Sequence, residues 1–167
     1  MSTHAMLNTE EPLAYFLTWT TYGTRLPGDE RGWNRKHESD IQRPNRLFVE
    51  MAQSRMKEAE FRLSVVDRRI VEETIRVHCR IRGWHLHAVN ARSNHVHSVV
   101  TAAGYPPETV RDQFKAWCTR RLKQAGATRT RFWTEGGSCR WINHADDLEA
   151  AILYVNDAQD RKGREDG

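Results

Sequence analysis

WHLHAVNARSNHVHSVVT, residues 84–101, decides how this 167-residue chain folds. Its halves, Trp84 to Asn90 and His95 to Thr101, are strand-like runs around the short polar segment Ala91-Arg92-Ser93-Asn94, and they predict a β-hairpin. Alternate side chains of a strand share a face, so His95 and His97 point one way and Val96 the other. An even-numbered turn pairs Asn90 with His95 and Ala88 with His97, which sends His85 and His87 to the opposite face. An odd turn or a bulge reverses that parity.

Working outward, Ser64 and Asp67 have the spacing of a capping box, and Ile70, Val71, Ile75 and Cys79 form one apolar face of a helix that Gly83 can close. Beyond the hairpin, Tyr105-Pro106-Pro107 leads into a second helix, with Val110, Phe114, Trp117, Cys118 and Leu122 as its core stripe. Leu13 to Thr21 (LAYFLTWTT) reads as a buried strand. Tyr22 to Arg46, punctuated by Gly23, Pro27, Gly28, Gly32 and Pro44, reads as a long loop, and Leu47 to Glu60 as a short surface helix. Phe132 to Ile142 reads as a strand pair around Gly136 and Gly137. Asn143 is the expected cap of a last helix running to about Asp160, with Asp146, Asp147 and Glu149 in its first turn.

The resulting order is strand, helix, strand, strand, helix, strand, helix. It specifies an α+β fold: a ferredoxin-like or RRM-like antiparallel sheet with helices on one face, and an added C-terminal helix carrying Tyr154. The expectation is one domain over 1–167, with 1–12 and 161–167 as flexible ends and 23–61 as an inserted loop and short helix.

Composition narrows the function. Six Trp, five Phe and four Tyr are enough to seed a core, which argues against wholesale disorder. No apolar run approaches the roughly 20 residues that cross a bilayer, so no membrane association is expected. Met1 to Glu11 lacks a basic stretch followed by an apolar one, and Cys79, Cys118 and Cys139 form no Cys-x-x-Cys pair. Both point to a cytoplasmic protein without a zinc ribbon or disulfide framework. The net charge is +4. Positive charge concentrates between Arg111 and Arg131, where Arg111, Lys115, Arg120, Arg121, Lys123, Arg129 and Arg131 face a single acid, Asp112. Such a segment favours an anionic partner.

His95-Val96-His97 supplies two imidazoles on one side of a strand, half of a divalent-metal site. Taken alone, the tripeptide reads more readily as two polar residues on the solvated face of a hairpin, because such tripeptides are common, and Tyr154, among Ala151, Ile152, Leu153 and Val155, reads as a core tyrosine. No Gly-x-Ser-x-Gly elbow or Gly-x-x-x-x-Gly-Lys phosphate loop is present.

Together these features resemble the single-tyrosine HUH transposases, the prokaryotic insertion-sequence and REP-associated tyrosine transposases that cut and rejoin single-stranded DNA. The matching parts are YFLTWTTYGT at Tyr15–Thr24, LPGDERGW at Leu26–Trp33, SNHVH at Ser93–His97, the FWTEGGSCRWI segment, and AILYVNDAQD at Ala151–Asp160. The resemblance implies that His95 and His97 hold Mg²⁺ or Mn²⁺ and that Tyr154 attacks the scissile phosphorus. A 5′-phosphotyrosine and a 3′-hydroxyl result, which a second 3′-hydroxyl can reverse without ATP. A phenol, with its ordinary pKa near 10, serves both as nucleophile and as leaving group. The implied substrate is single-stranded DNA with hairpin-forming ends, met in a prokaryotic cytoplasm at the nucleoid. The protein would work as a monomer or as a homodimer exchanging its tyrosine helix.

The chain departs from the family at the third ligand, a Gln about one turn after the tyrosine. Ala158 stands four positions on; Gln159, at the fifth, lies about 140° from Tyr154 on a regular helix, and Asp157, at the third, about 60°. A π-bulge or a frayed end would bring Gln159 back. The resemblance names Gln159, and helix geometry names Asp157 as its rival. The basic segment suits a single-strand backbone groove, and Trp33 a stacking platform, although a solvated helix face and a loop anchor are equally open readings. The alternative function is a non-cutting protein, derived from such a transposase, that binds structured nucleic acid.

Overall fold

The structure is a computed structural model and describes residues 11–26, 29, 33–34 and 41–158. Among the described residues, four helices and six strands follow in the order β1 (Ala14–Thr20), β2 (Trp33–Asn34), β3 (Ile41–Gln42), α1 (Arg46–Arg55), α2 (Val65–Arg82), β4 (His85–Ala91), β5 (His95–Thr101), α3 (Pro107–Gln124), β6 (Ser138–Ile142) and α4 (Ala145–Leu153), with a π-helical turn over Tyr154–Ala158. The main sheet has the order β4-β5-β1-β6 and is antiparallel throughout. With α2 and α3 as its crossovers, this is the βαββαβ plan of a ferredoxin-like α+β domain. No helix among the described residues is long and apolar enough to cross a membrane.

The period of two along β1 builds two separate cores. Tyr15, Leu17 and Trp19 face α2 and α3 together with Val96, Val100, Val71, Ile75, Val110, Phe114 and Leu122. On the other face, Ala14, Ala88, Val99 and Ile142 are covered by Leu148, Ala151, Ile152 and Val155 from α4 and the π turn. α2 starts at the expected box: Asp67 N donates to Ser64 Oγ at 3.1 Å and Ser64 N to Asp67 Oδ2 at 3.0 Å. It stops at Gly83, whose φ of 72° only glycine adopts at little cost.

Several expectations need correction. The hairpin turn is even but tighter than expected: Arg92 N donates to His95 O, and Asn90 stands opposite His97 rather than His95. A bulge between Leu86 and Ala88 then shifts the register, so that His85 pairs with Thr101. One extra residue reverses the parity beyond it, and His85 therefore lies on the same face as His95 and His97, not the opposite one. His87, the bulged residue, bonds Thr101 Oγ1 on that face at 2.7 Å. The Phe132–Ile142 strand pair is one strand, β6, plus an isolated bridge between Thr21 and Trp133, because Phe132 turns into the core against Phe61. His144, not Asn143, is the N-cap of α4 and makes no side-chain cap bond. Trp117 lies about 100° round α3 from the buried Cys118 spoke and is 38% exposed. The loop from Tyr22 to Arg46 contains the small β2–β3 ribbon, and α1 ends at Arg55.

Candidate active site

β5 presents His95 and His97 on the sheet face away from α2 and α3, with ring centroids 4.5 Å apart. Neighbours fix both rings. Asn94 Oδ1 lies 2.6 Å from His95 Nδ1, and Thr18 Oγ1, opposite His97 on β1, lies 2.9 Å from His97 Nδ1. An amide oxygen only accepts, so His95 Nδ1 is the donor to Asn94, while the Thr18 hydroxyl can accept from His97 Nδ1 or donate to it; either way both Nδ1 atoms are engaged and the Nε2 atoms are left as the ligating positions. Anchoring of Nδ1 by a second group is how metal-ligating imidazoles are held. The pair therefore fits two ligands of a divalent ion. Among the described residues, no three His, Cys, Asp or Glu side chains cluster as a metal site.

Tyr154 arrives from a distant part of the chain. It ends α4 and opens the π turn, and its ring stands perpendicular to that of His97 at 5.9 Å, with the Phe16 ring 5.8 Å from His97 and 6.0 Å from Tyr154. Tyr154 is 39% exposed, whereas Val155 beside it is fully buried and fastens the turn to Ala88 and Val99. Asn90 adds a directed tie: its Nδ2 donates to Val155 O at 2.9 Å, and its strand position lies opposite His97. Sequence reading named neither Asn90 nor Thr18 as a site residue. The available signal was a polar residue on a strand otherwise reading as apolar, at a position whose partner was a candidate ligand.

Close backbone approach shapes the β6 side. A Cβ on Gly137 would meet Thr18 O at 2.6 Å, and its φ is 139°, so glycine is required for the turn to sit beside the residue that orients His97.

Of the two rival third ligands, Asp157 is an exposed member of the π turn, and Gln159 lies outside the described residues. The second histidine pair, His85 and His87, has ring centroids 4.3 Å apart but sits at the far end of the hairpin, beside Thr101. Burial and the neighbouring His85 hold the His87 pKa below its ordinary value.

The basic segment divides by task. Arg111 donates to Gly137 O at 3.2 Å and pairs with Asp112; Lys115 Nζ donates to Thr134 O and Gly136 O, both at 2.9 Å. Burial lowers the Lys115 pKa. Arg129 donates to Ala59 O and lies over the Phe61 ring. These three brace loops. Arg121, Lys123 and Arg131 are exposed, and Arg120 stacks on Trp117 with its guanidinium 4.7 Å from the ring centroid. Trp33 contributes backbone pairing to Gln42, and its side chain lies outside the described residues. Because α3 packs on the Leu17 face, its basic residues and the His95–His97–Tyr154 cluster occupy opposite sides of the sheet. No protein-family model and no curated protein matches the chain.

Proposed function

We propose that this protein is a metal-dependent single-stranded DNA endonuclease and strand-transferase working through a 5′-phosphotyrosine, as the resemblance to single-tyrosine HUH transposases implies. The observation that carries this reading is the meeting of a tyrosine from α4 with a fixed histidine pair from β5 on one sheet face.

His95 and His97 would hold a Mg²⁺ or Mn²⁺ ion, whose chemistry there is to withdraw electron density from the non-bridging oxygens of the scissile phosphate. Tyr154 Oη attacks phosphorus, a P–O bond to tyrosine forms, and the P–O3′ bond breaks. The phenolic proton passes to solvent and the departing 3′-oxygen takes one from it, so the exchange of one phosphodiester for another consumes no oxidant, reductant or ATP. Attack by another 3′-hydroxyl on the phosphotyrosine restores Tyr154 and joins the strands. Phe16 flanks the Tyr154 ring, and Asn90 holds the turn behind it, so the nucleophile is positioned before the substrate arrives. Gln159 is the proposed third ligand. A π turn closes its hydrogen bonds five residues on, which favours a ligand five positions after Tyr154 over the regular-helix alternative Asp157. Hairpin-ended single strands, in a prokaryotic cytoplasm, are the proposed substrate.

The test is incubation of the protein with end-labelled single-stranded oligonucleotides bearing flanking hairpins, with and without Mn²⁺, resolved on a denaturing gel. A protein–DNA adduct formed only with Mn²⁺ is the expected result. Cleavage without an adduct would assign the attack to water, and tight binding with neither would make the protein a non-cutting nucleic-acid-binding module.

A further inference from the structure

The basic surface of α3 and the histidine face lie on opposite sides of the sheet, and a single nucleic-acid chain touching both must pass round an edge. We infer that single-stranded DNA crosses the outer edge of β6, with Arg140 gripping a backbone phosphate beside Tyr154 and Trp141 stacking a base on the other side. This rests on single-stranded DNA being the ligand.

β6 is the last strand in the sheet order; α3 reaches it through Arg111, whose Nη1 lies 3.4 Å from Cys139 Sγ, and holds the turn before it through Lys115, which donates to Gly136 O. Adjacent residues of a strand point to opposite faces. Arg140 stands opposite Phe16, whose ring touches both His97 and Tyr154, so its side chain springs from the histidine face one strand away from the site. Arg140 is exposed, and among the described residues no hydrogen bond or ion pair engages its guanidinium. Trp141 stands opposite Tyr15 on the helix face and is 57% exposed, although its ring meets Tyr15 edge-on at 6.0 Å. A cation on one side of an edge and an exposed indole on the other match the two needs of single-strand binding, phosphate charge and base stacking. Past Ile142, Asp146 and Asp147 in the first turn of α4 make that end unfavourable for phosphate, which confines the crossing to the Ser138–Trp141 stretch.

The experiment measures fluorescence anisotropy of a labelled oligodeoxythymidylate on Tyr154→Phe protein without divalent metal, so that neither cutting nor metal enters the readout. Arg140→Glu and Trp141→Ala, both at exposed positions, are each expected to weaken binding about tenfold. Arg140→Glu should also lower the slope of log K against log salt by about 0.7 for one lost phosphate contact. Arg46→Glu, on α1, should bind like the parent. Parent-like binding by both β6 variants would overturn the inference, as would a parent that binds no oligonucleotide. A change in sedimenting mass with unchanged affinity would also overturn it and make the edge an interface between copies. Weakened binding by the β6 variants, in a protein that forms no adduct with Mn²⁺, would defeat the transferase reading and leave the edge in place. Adduct formation with parent-like binding by both variants would do the reverse.

Discussion

The rings of His97 and Tyr154 stand at 90° to each other with centroids 5.9 Å apart, although one belongs to the central hairpin and the other to the last helical segment. The contact is made across Phe16, on a sheet face that the two long helices leave to α4 and the π turn. A tyrosine placed there for packing would turn its ring into the core, as Val155 does with its side chain. Tyr154 instead keeps more than a third of its surface exposed, at the edge of the histidine pair.

Tyr154→Phe removes one hydroxyl from a 39% exposed side chain and leaves its ring contacts with Phe16 and His97 in place. It is expected to retain the parent Tm and DNA affinity and to lose covalent adduct altogether on a denaturing gel. Cleavage surviving in this variant would replace the tyrosine by water as the nucleophile.

His95→Ala and His97→Ala are each expected to abolish cleavage, while His85→Ala and His87→Ala spare it. The two pairs share a face, so the difference follows from distance along the strands: His97 is level with Thr18 and Asn90, His85 with Thr101. Single-turnover cleavage assays with all four variants check this, and equal losses would merge the two pairs into one site.

Asn90→Ala leaves the Val155 carbonyl buried without its side-chain donor, at a cost of about 1–3 kcal/mol. The expected result is a lowered Tm and a cleavage rate reduced at least tenfold, with DNA affinity within about twofold of the parent because Asn90 is buried away from any strand. Asn90→Asp, which replaces the donor by an acceptor facing a carbonyl, should be worse. Rate and affinity falling together would mean a general structural role.

Acid should destabilise the fold through His87. Burial and His85 depress its folded pKa below the ordinary value of 6.5, so the unfolded chain binds the proton more readily. The contribution is fully present above about pH 6.5 and lost as pH falls through the folded pKa. Tm measured between pH 8 and 5 should fall further for the parent than for His87→Gln. An identical pH profile for the two proteins would remove His87 as the cause.

Gln159→Ala is expected to raise the Mn²⁺ concentration for half-maximal cleavage with little change in DNA affinity, and Asp157→Ala to do so less. A neutral carboxamide leaves more positive charge on a bound ion, and a carboxylate beside Tyr154 would oppose the phenolate. The opposite ranking in metal titrations would make Asp157 the ligand.

Local signals in the sequence determined the hairpin, the capped helix ending at Gly83, the order of the main elements and hence the fold class, because capping, glycine punctuation and a period of two are properties of neighbouring residues. The same reasoning placed His95 and His97 on one face. It failed where one residue changes the outcome: the bulge near His87 reversed the face of His85, and no local pattern marks where a ladder takes up an extra residue. Trp117 and Cys118 are adjacent on one helix, and only the packing of α3 against the sheet decided which of them is buried. Tertiary structure alone brought Tyr154 against His97, tied its turn to Asn90, and set the basic face of α3 on the far side of the sheet from both. Those relations depend on which layer each helix joins, and that is fixed by the sum of apolar burial across the whole domain, which no window of sequence contains.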